Sequence, residues 1–301
     1  MGKPLLSVII VSWNVSRLLQ RCLQTVQLAV KDISSEILVI DNASRDGTLE
    51  MLTQDFPDIH VLAQKENLGF GRANNLGVEH SKGDFLLLLN PDTEVNEDAI
   101  VVLLAAMKAD PQMGFAGPQI LNADGSFQEA CRRMIPTPQC AFYKMIGLSK
   151  LFPNHARFST YNYGKLSVET VSKVEAISGS CMCIRREAWG FGFDERYFMY
   201  AEDLDLCWDI RKKGYYGQYV PDAVITHLYR GSSSKRCFRS LYHFYLAAFL
   251  FFHKHYFGKM NMFLFVLLTI GLCVKFVLAY ICTMMRCFLT FFKERRARGF
   301  E

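Results

Sequence analysis

The chain of 301 residues has ten cysteines, yet no two of them are separated by the two-residue gap that serves zinc ligation or dithiol redox chemistry. Thiols scattered in this way (Cys22, Cys131, Cys140, Cys181, Cys183, Cys207, Cys237, Cys273, Cys282 and Cys287) fit a reduced, cytosolic setting. The N-terminus runs Met1-Gly2-Lys3-Pro4 straight into an apolar strand, with neither the long apolar core nor the small-residue cleavage site of an export signal. Leu6 stands where a myristoylation signal requires Ser or Thr. The catalytic part is therefore expected to stay on the cytoplasmic side. That first strand leads into Asn14-Val15-Ser16-Arg17 and not into a glycine fingerprint, which sets aside the dinucleotide-dependent oxidoreductases. Net charge is only +5, and Lys293, Arg295, Arg296 and Arg298 crowd the end of the chain after a long apolar tract. That distribution suits anionic lipid, and nucleic acid is not an expected partner.

What is present is an α/β pattern, and with half of the residues apolar the chain can bury a large core. Residues 5–13 and 36–40 are β-rich apolar runs separated by Leu18, Leu19, Cys22, Leu23 and Val26 at helical spacing, a β-α-β opening that implies a parallel sheet. Strands at 59–63 and 84–89 and helices at 72–79 and 97–109 continue the rhythm. The polar loop 41–48 falls at the carboxyl end of the second strand, where open α/β sheets bind ligands. The alternation then decays into a hairpin-like Asn122-Ala123-Asp124-Gly125-Ser126 and a looser stretch, 135–169, read as the acceptor side. Order returns with a strand at 171–184, a helix at 202–213 and short strands at 215–220 and 224–228. A first domain, 1–235, is expected to end near Arg230-Gly231-Ser232-Ser233-Ser234.

Residues 236–301 form a second, hydrophobic helical region with a basic tail. Residues 241–257 are aromatic and apolar, and 262–292 are apolar apart from Lys275, Arg286 and a few small polar residues. A membrane span needs roughly 20 such residues, and 263–272 shows almost no polar face. Basic residues lie before, between and after the two tracts, including Arg239, Lys254 and Lys259. The positive-inside rule then keeps both outer flanks in the cytoplasm and favours a hairpin or a surface-lying pair over a single crossing.

Three segments carry chemistry. Asn90-Pro91-Asp92 follows a buried strand, so Asp92 can reach a ligand without being stranded in the core. A hard divalent cation bridging two phosphates needs such an oxygen, although a turn with Asp92 or Thr93 capping the next helix fits the same residues. Tyr200-Ala201-Glu202-Asp203-Leu204-Asp205 opens a helix with three carboxylates, more than capping requires. Asp203, with Glu202 in reserve, is the candidate general base. In 67–75, Gly69 and Gly71 free the backbone and Arg72 offers a bidentate fork, so that nucleotide binding and a flexible helix lead-in compete. Ser178-Gly179-Ser180 reads either as a place of close substrate approach or as a strand bulge. His227, ending a strand, reads by position alone as structural.

These segments in this order, from Ser7-Val8-Ile9-Ile10-Val11-Ser12-Trp13-Asn14 through Val39-Ile40-Asp41-Asn42-Ala43-Ser44, Asn90-Pro91-Asp92 and Gly192-Phe193-Asp194-Glu195 to Glu202-Asp203-Leu204-Asp205, resemble the family 2 glycosyltransferases, particularly their bacterial rhamnosyltransferase-like branch. The resemblance implies a GT-A fold, a Rossmann-like mixed sheet flanked by helices, here followed by C-terminal apolar membrane-associated helices. It implies an inverting, nucleotide-sugar-dependent hexosyltransferase that uses Mg²⁺ or Mn²⁺, with Asp92 and His227 toward the metal. Ser12, Asn14, Asp41, Arg72, Asn74 and Asn90 fall to the nucleotide sugar, and Asp203 and Glu202 to catalysis. Asn90 departs from the usual Asp-x-Asp, since a neutral amide binds metal more weakly. The expected acceptor is a polyprenyl-diphosphate-linked saccharide in cell-surface polysaccharide biosynthesis at the cytoplasmic face of the inner membrane, with membrane lipid as a partner. A polyprenyl-phosphate glycosyltransferase and a catalytically silent membrane adaptor are the alternatives.

Overall fold

The computed structural model describes residues 2–152, 155, 161–163, 166–228 and 238–298. The expected domain end at Arg230 to Ser234, with Lys235 and Arg236, lies outside the described residues, as do the side chains of Lys293, Arg295, Arg296 and Arg298.

The opening follows the sequence pattern. Strand β1 (Leu6–Ser12), helix α1 (Ser16–Ala29), β2 (Ser35–Asp41), α2 (Thr48–Asp55), β3 (His60–Ala63), α3 (Phe70–Glu79) and β4 (Phe85–Leu89) alternate as expected. Each residue of β4 is buried, as an apolar run with cover on both faces requires. Helix α1 buries Leu19, Cys22, Leu23, Val26 and Ala29, one stripe at three- and four-residue spacing.

The second half departs from the expected pattern. Strand β5 (Thr93–Val95), helix α4 (Ala99–Ala109) and a ten-residue strand β6 (Met113–Asn122) follow, then β7 (Arg132–Arg133), α5 (Pro138–Met145) and α6 (Leu148–Leu151). The run at 171–184 is not one strand. It breaks into β8 (Ser172–Val174), β9 (Ala176–Ile177) and β10 (Cys181–Arg185), with Ser178-Gly179-Ser180 as a turn between the last two. After α7 (Arg186–Trp189) and α8 (Glu202–Lys212), the two expected short strands are one, β11 (Tyr216–His227), interrupted by an irregularity between Val220 and Val224. Strand pairing accounts for both results. β11 runs along β6 on both sides of its bulge, whereas β8 pairs with β11, β9 with β7, and β10 with β4 and β6.

The main sheet has nine strands in the order β3-β2-β1-β4-β10-β6-β11-β5, with β8 against β11. β3, β2, β1 and β4 are parallel, while β10 is antiparallel to both neighbours, so the sheet is mixed. The strand order reverses at β1, the crevice in which open α/β sheets take ligands. In this register Ser12, Asp41, Leu89, Cys181, Asn122 and His227 all fall on one edge of the sheet.

The C-terminal region consists of α9 (Phe238–Tyr256) and α10 (Met262–Arg298). Helix α9 is not a separate unit, because Ala247 and Phe251 belong to the main hydrophobic core and His255 is 1% exposed. Composition does not reveal this, since the apolar residues that enter the core and those that face outward are of the same kind. Within the described residues, Met262–Phe288 of α10 is the one helix long and apolar enough to cross a membrane.

Candidate active site

Asn90, Pro91 and Asp92 turn the chain from β4 into β5, and neither Asp92 nor Thr93 caps a helix. The Thr93 hydroxyl donates back to the Asn90 carbonyl at 2.7 Å, and the Cys22 thiol reaches the same oxygen at 3.5 Å. Burial pushes that thiol up to about 12, so it stays a neutral donor. Pairing of β5 with β11 puts Thr93 opposite His227, and the Leu228 N–H donates to the Asp92 carbonyl at 2.9 Å. Asp92 Oδ1 thereby comes within 3.1 Å of His227 Nε2, each side chain 13% exposed. Asn90 Nδ2 lies 3.5 Å from the same nitrogen, and Gln128 meets the other ring nitrogen at 3.3 Å. The structure thus brings Asn90, expected at the nucleotide sugar, beside Asp92 and His227, expected toward the metal, and adds Gln128, which the sequence did not point to and which the turn after β6 delivers. A carboxylate and an imidazole at this separation could together hold a divalent cation, to which they would supply one oxygen and one nitrogen. No third His, Cys, Asp or Glu joins them among the described residues.

Helix α8 carries the second acidic site. Asp203 Oδ2 accepts from Arg133 Nη2 at 2.5 Å and from the Gly179 N–H at 2.9 Å, while Oδ1 accepts from the Leu204 N–H at 2.8 Å. Arg133 is fixed in turn by the Ile177 carbonyl at 2.8 Å. Burial works against its charge, but the Asp203 carboxylate and Tyr161 together more than offset that and raise the guanidinium. Beside them Glu202 is 7% exposed and its Oε2 has no hydrogen-bond partner among the described residues. Burial, with the Asp203 charge added, pushes its carboxyl up to about 8. Its protonated form is thus favoured next to a hydrogen-bonded carboxylate. Arg133 was not found from the sequence. Its only signal is a pair of arginines ahead of Met134-Ile135, and its partner lies 70 residues away.

The turn at 178–180 joins the two sites. Its Gly179 N–H holds Asp203, and its Ser180 carbonyl accepts the Asn90 N–H at 2.9 Å.

Residues expected at the nucleotide sugar are more dispersed. Ser12 and Asp41 are opposite one another at the ends of β1 and β2, both fully buried, and Ser12 Oγ and Asp41 Oδ1 have no hydrogen-bond partner among the described residues. Asp41 Oδ2 accepts from the Ser44 N–H at 3.0 Å. Asn14, at a left-handed φ of 54°, braces two loops by accepting from the Arg45 N–H at 2.8 Å and donating its own N–H to Ser44 Oγ at 2.9 Å. Arg72 is exposed and lies 3.7 Å from Glu195. Asn74 is 1% exposed and donates to the Phe70 carbonyl of its own helix at 3.0 Å.

The Gly-rich segment is a packed junction. Gly69 has φ +83°, and a Cβ there would stand 2.7 Å from the Phe198 carbonyl. The Phe70 N–H donates to that carbonyl at 3.2 Å, and Asn75 exchanges two 2.9 Å hydrogen bonds with the Phe193 backbone. The motif around Phe193 is thereby clamped to α3.

A second polar cluster, also missed, ties α8 to α9. Asp205, 1% exposed, accepts from His255 Nε2 and from Lys254 Nζ, each at 2.7 Å, and Lys254 reaches Asp209 at 3.1 Å and Asp194 at 3.2 Å.

Known proteins share this architecture. Residues 7–189 match Glycosyl transferase family 2. An N-acetylglucosaminyl-diphospho-decaprenol L-rhamnosyltransferase of Mycobacterium tuberculosis is 33% identical over 235 residues, 74% of this chain and 75% of that protein. A low-salt glycan biosynthesis hexosyltransferase of Haloferax volcanii is 27% identical over 186 residues, 60% of this chain and 54% of that one. Among solved structures, a mannosyltransferase from Pyrobaculum calidifontis in complex with GDP-Man and Mn²⁺ superposes with a TM-score of 0.55 at 16% identity, over 96% of this chain and 81% of that one. The family match over most of the chain and the sheet edge that gathers Asp41, Asn90, Asp92 and His227 lead to one conclusion: the chain belongs to glycosyltransferase family 2, with a GT-A fold.

Proposed function

We propose that the chain is an inverting glycosyltransferase that moves a sugar, with rhamnose favoured, from a nucleoside-diphosphate donor to a hydroxyl of a lipid-linked saccharide at the cytoplasmic face of a membrane, in cell-surface polysaccharide biosynthesis. The observation that carries this reading is the turn at 178–180, which holds the two acidic sites on adjacent peptide units. Direct displacement needs the nucleophilic hydroxyl and the leaving group addressed in one step, and groups fixed to a shared turn meet that demand. The mycobacterial relative, a rhamnosyltransferase named for a lipid-linked N-acetylglucosamine, supports the choice of donor sugar and acceptor.

In this mechanism Asp203 takes the proton of the acceptor hydroxyl as that oxygen bonds to the anomeric carbon and the bond from that carbon to the diphosphate breaks. Arg133 and Gly179 both engage Oδ2, which leaves Oδ1 with a single backbone donor. Asp92 and His227 would hold a divalent cation, Mg²⁺ or Mn²⁺, which supplies charge neutralisation at the leaving diphosphate. Asn90, next to His227, serves the donor through its amide or through water. Ser12 and Asp41 offer buried oxygens to the nucleoside. Arg72 joins them by leaving an exposed and weak ion pair, Asn14 orders the loop around them, and Asn74 supports the helix behind.

The test is nucleoside diphosphate release from a panel of nucleotide sugars with and without Mn²⁺. Asp203→Asn should lose transfer and keep donor binding, and wild-type turnover in that variant would refute the base assignment. Donor binding without turnover of any acceptor would favour the catalytically silent adaptor.

A further inference from the structure

Two features of α10 conflict with a transmembrane span. The apolar segment Met262–Phe288 carries Lys275 at its midpoint, where a charge in a bilayer is most costly. It is also laid antiparallel along α9, with Tyr280 against Phe238 (4.6 Å between ring centroids), Phe276 against Tyr245 (5.7 Å) and Phe265 against His253 (6.3 Å). Helix α9 is fastened to the catalytic domain along its whole length. His243 stacks on Phe198 at 4.6 Å, Phe251 packs on Trp208 at 6.1 Å, and Lys254 and His255 bond Asp205. α9 cannot enter a bilayer without the catalytic domain, and α10 cannot cross one while it follows α9.

The two sides of α10 differ. Phe265, Leu268, Leu272, Phe276, Ala279 and Thr283, at three- and four-residue spacing, are buried or half-buried and form the side turned to α9. Phe265 and Leu268 form a small core with Phe252, against which Ala141 of α5 also packs. On the opposite side Phe263, Leu267, Ile270, Val274, Val277 and Ile281 are all exposed, again at three- and four-residue spacing. Docking on protein accounts for part of the missing polar face, since Phe265 and Leu268 are buried there, while Leu264, Val266 and Leu278 widen the exposed apolar surface. The other side is a continuous apolar strip with basic residues at both ends, Lys259 before it and Lys293, Arg295, Arg296 and Arg298 after it. A strip bounded by cations complements anionic lipid better than it does a second copy of the same basic end.

We propose that α10 binds an anionic bilayer in plane through its outer strip, so that the enzyme rides on one leaflet with α9 as the rigid seat between lipid and catalytic domain. This rests on reading the C-terminal region as membrane-associating. It also sets the geometry of the reaction, because Lys254 and His255 link the seat directly to the helix that carries Asp203.

Flotation of the full chain with phosphatidylcholine vesicles, with and without phosphatidylglycerol, tests the surface. Binding should need the anionic lipid. Ile270→Asp and Val274→Asp should weaken it at least tenfold at unchanged Tm, whereas Leu268→Asp should lower Tm. Wild-type binding by the outer-strip variants would overturn the proposal. So would self-association that those variants abolish while vesicle binding persists. For a C-terminally tagged chain in inverted membrane vesicles, protease should remove the tag together with the catalytic domain. A tag protected there and cleaved in intact spheroplasts would overturn the in-plane geometry alone, and no membrane binding in any assay would overturn the membrane reading itself.

Discussion

Phe251 and Phe263 are the same residue in two tracts of similar composition, and the structure gives them opposite weights. Phe251 is 1% exposed, sits in the main core and packs edge-on against Trp208 of α8, whereas Phe263 is 69% exposed. Truncating a buried Phe to Ala costs about 3–5 kcal/mol, lost transfer energy plus the cavity left behind, while an exposed truncation stays within about 0.5 kcal/mol. For a chain of this size each kcal/mol moves Tm by roughly 2–4 °C, so Phe251→Ala should melt about 6–20 °C below wild type and Phe263→Ala within about 2 °C of it. The assay is thermal unfolding of the full chain in mild detergent, followed by near-UV circular dichroism. Equal shifts for the two variants, or a Phe251→Ala shift under about 3 °C, would refute the placement of α9 in the catalytic core. Because Phe251 buttresses the helix that bears Asp203, transfer should also fall in Phe251→Ala below its Tm and stay unchanged with a water-soluble acceptor in Phe263→Ala.

A chain ended after Asn261 should fold, stay monomeric in detergent and bind donor, whereas one ended after Ser240 also loses α9 and should be recovered aggregated; size-exclusion chromatography separates the outcomes. The Glu202 carboxyl is raised from 4.5 to about 8, so the folded chain holds its proton where the unfolded chain releases it. That contribution is fully present below pH 4.5 and is lost as pH rises through about 8. Glu202→Gln should flatten this part of the stability profile and gain Tm relative to wild type at pH 9, with no relative gain at pH 4.5; an unchanged pH dependence in differential scanning calorimetry would contradict it. Arg133→Met strands Asp203 in a buried site, so stability should drop by about 3–5 kcal/mol in denaturant titration, and transfer should fall with it. Arg133→Lys should recover part of both, and a silent Arg133→Met would remove Arg133 from the site.

The half of the fold built from local pattern was legible in the sequence. The alternation from β1 to β4 is written in continuous apolar runs and in the helical stripe of α1, and each signal lies within a single element. The second half was less legible because its elements are defined by partners. β6 carries Gly114, Gly117 and Pro118, residue types that disfavour a strand, and it is pairing with β10 and β11 that makes the segment one. The break of 171–184 into three strands likewise follows from which neighbours each piece meets.

The sequence by itself determined the family, the acidic motifs and their positions after strands and at a helix start, since these depend on residue type and short spacing. Tertiary structure alone decided what each motif touches. Asp92 meets His227 across 135 residues because β5 and β11 pair, and Asp203 meets Arg133 across 70 because β7 pairs with β9 below α8. It also decided that two tracts alike in composition differ in role, because burial depends on what lies opposite a side chain, and no residue carries that information within itself.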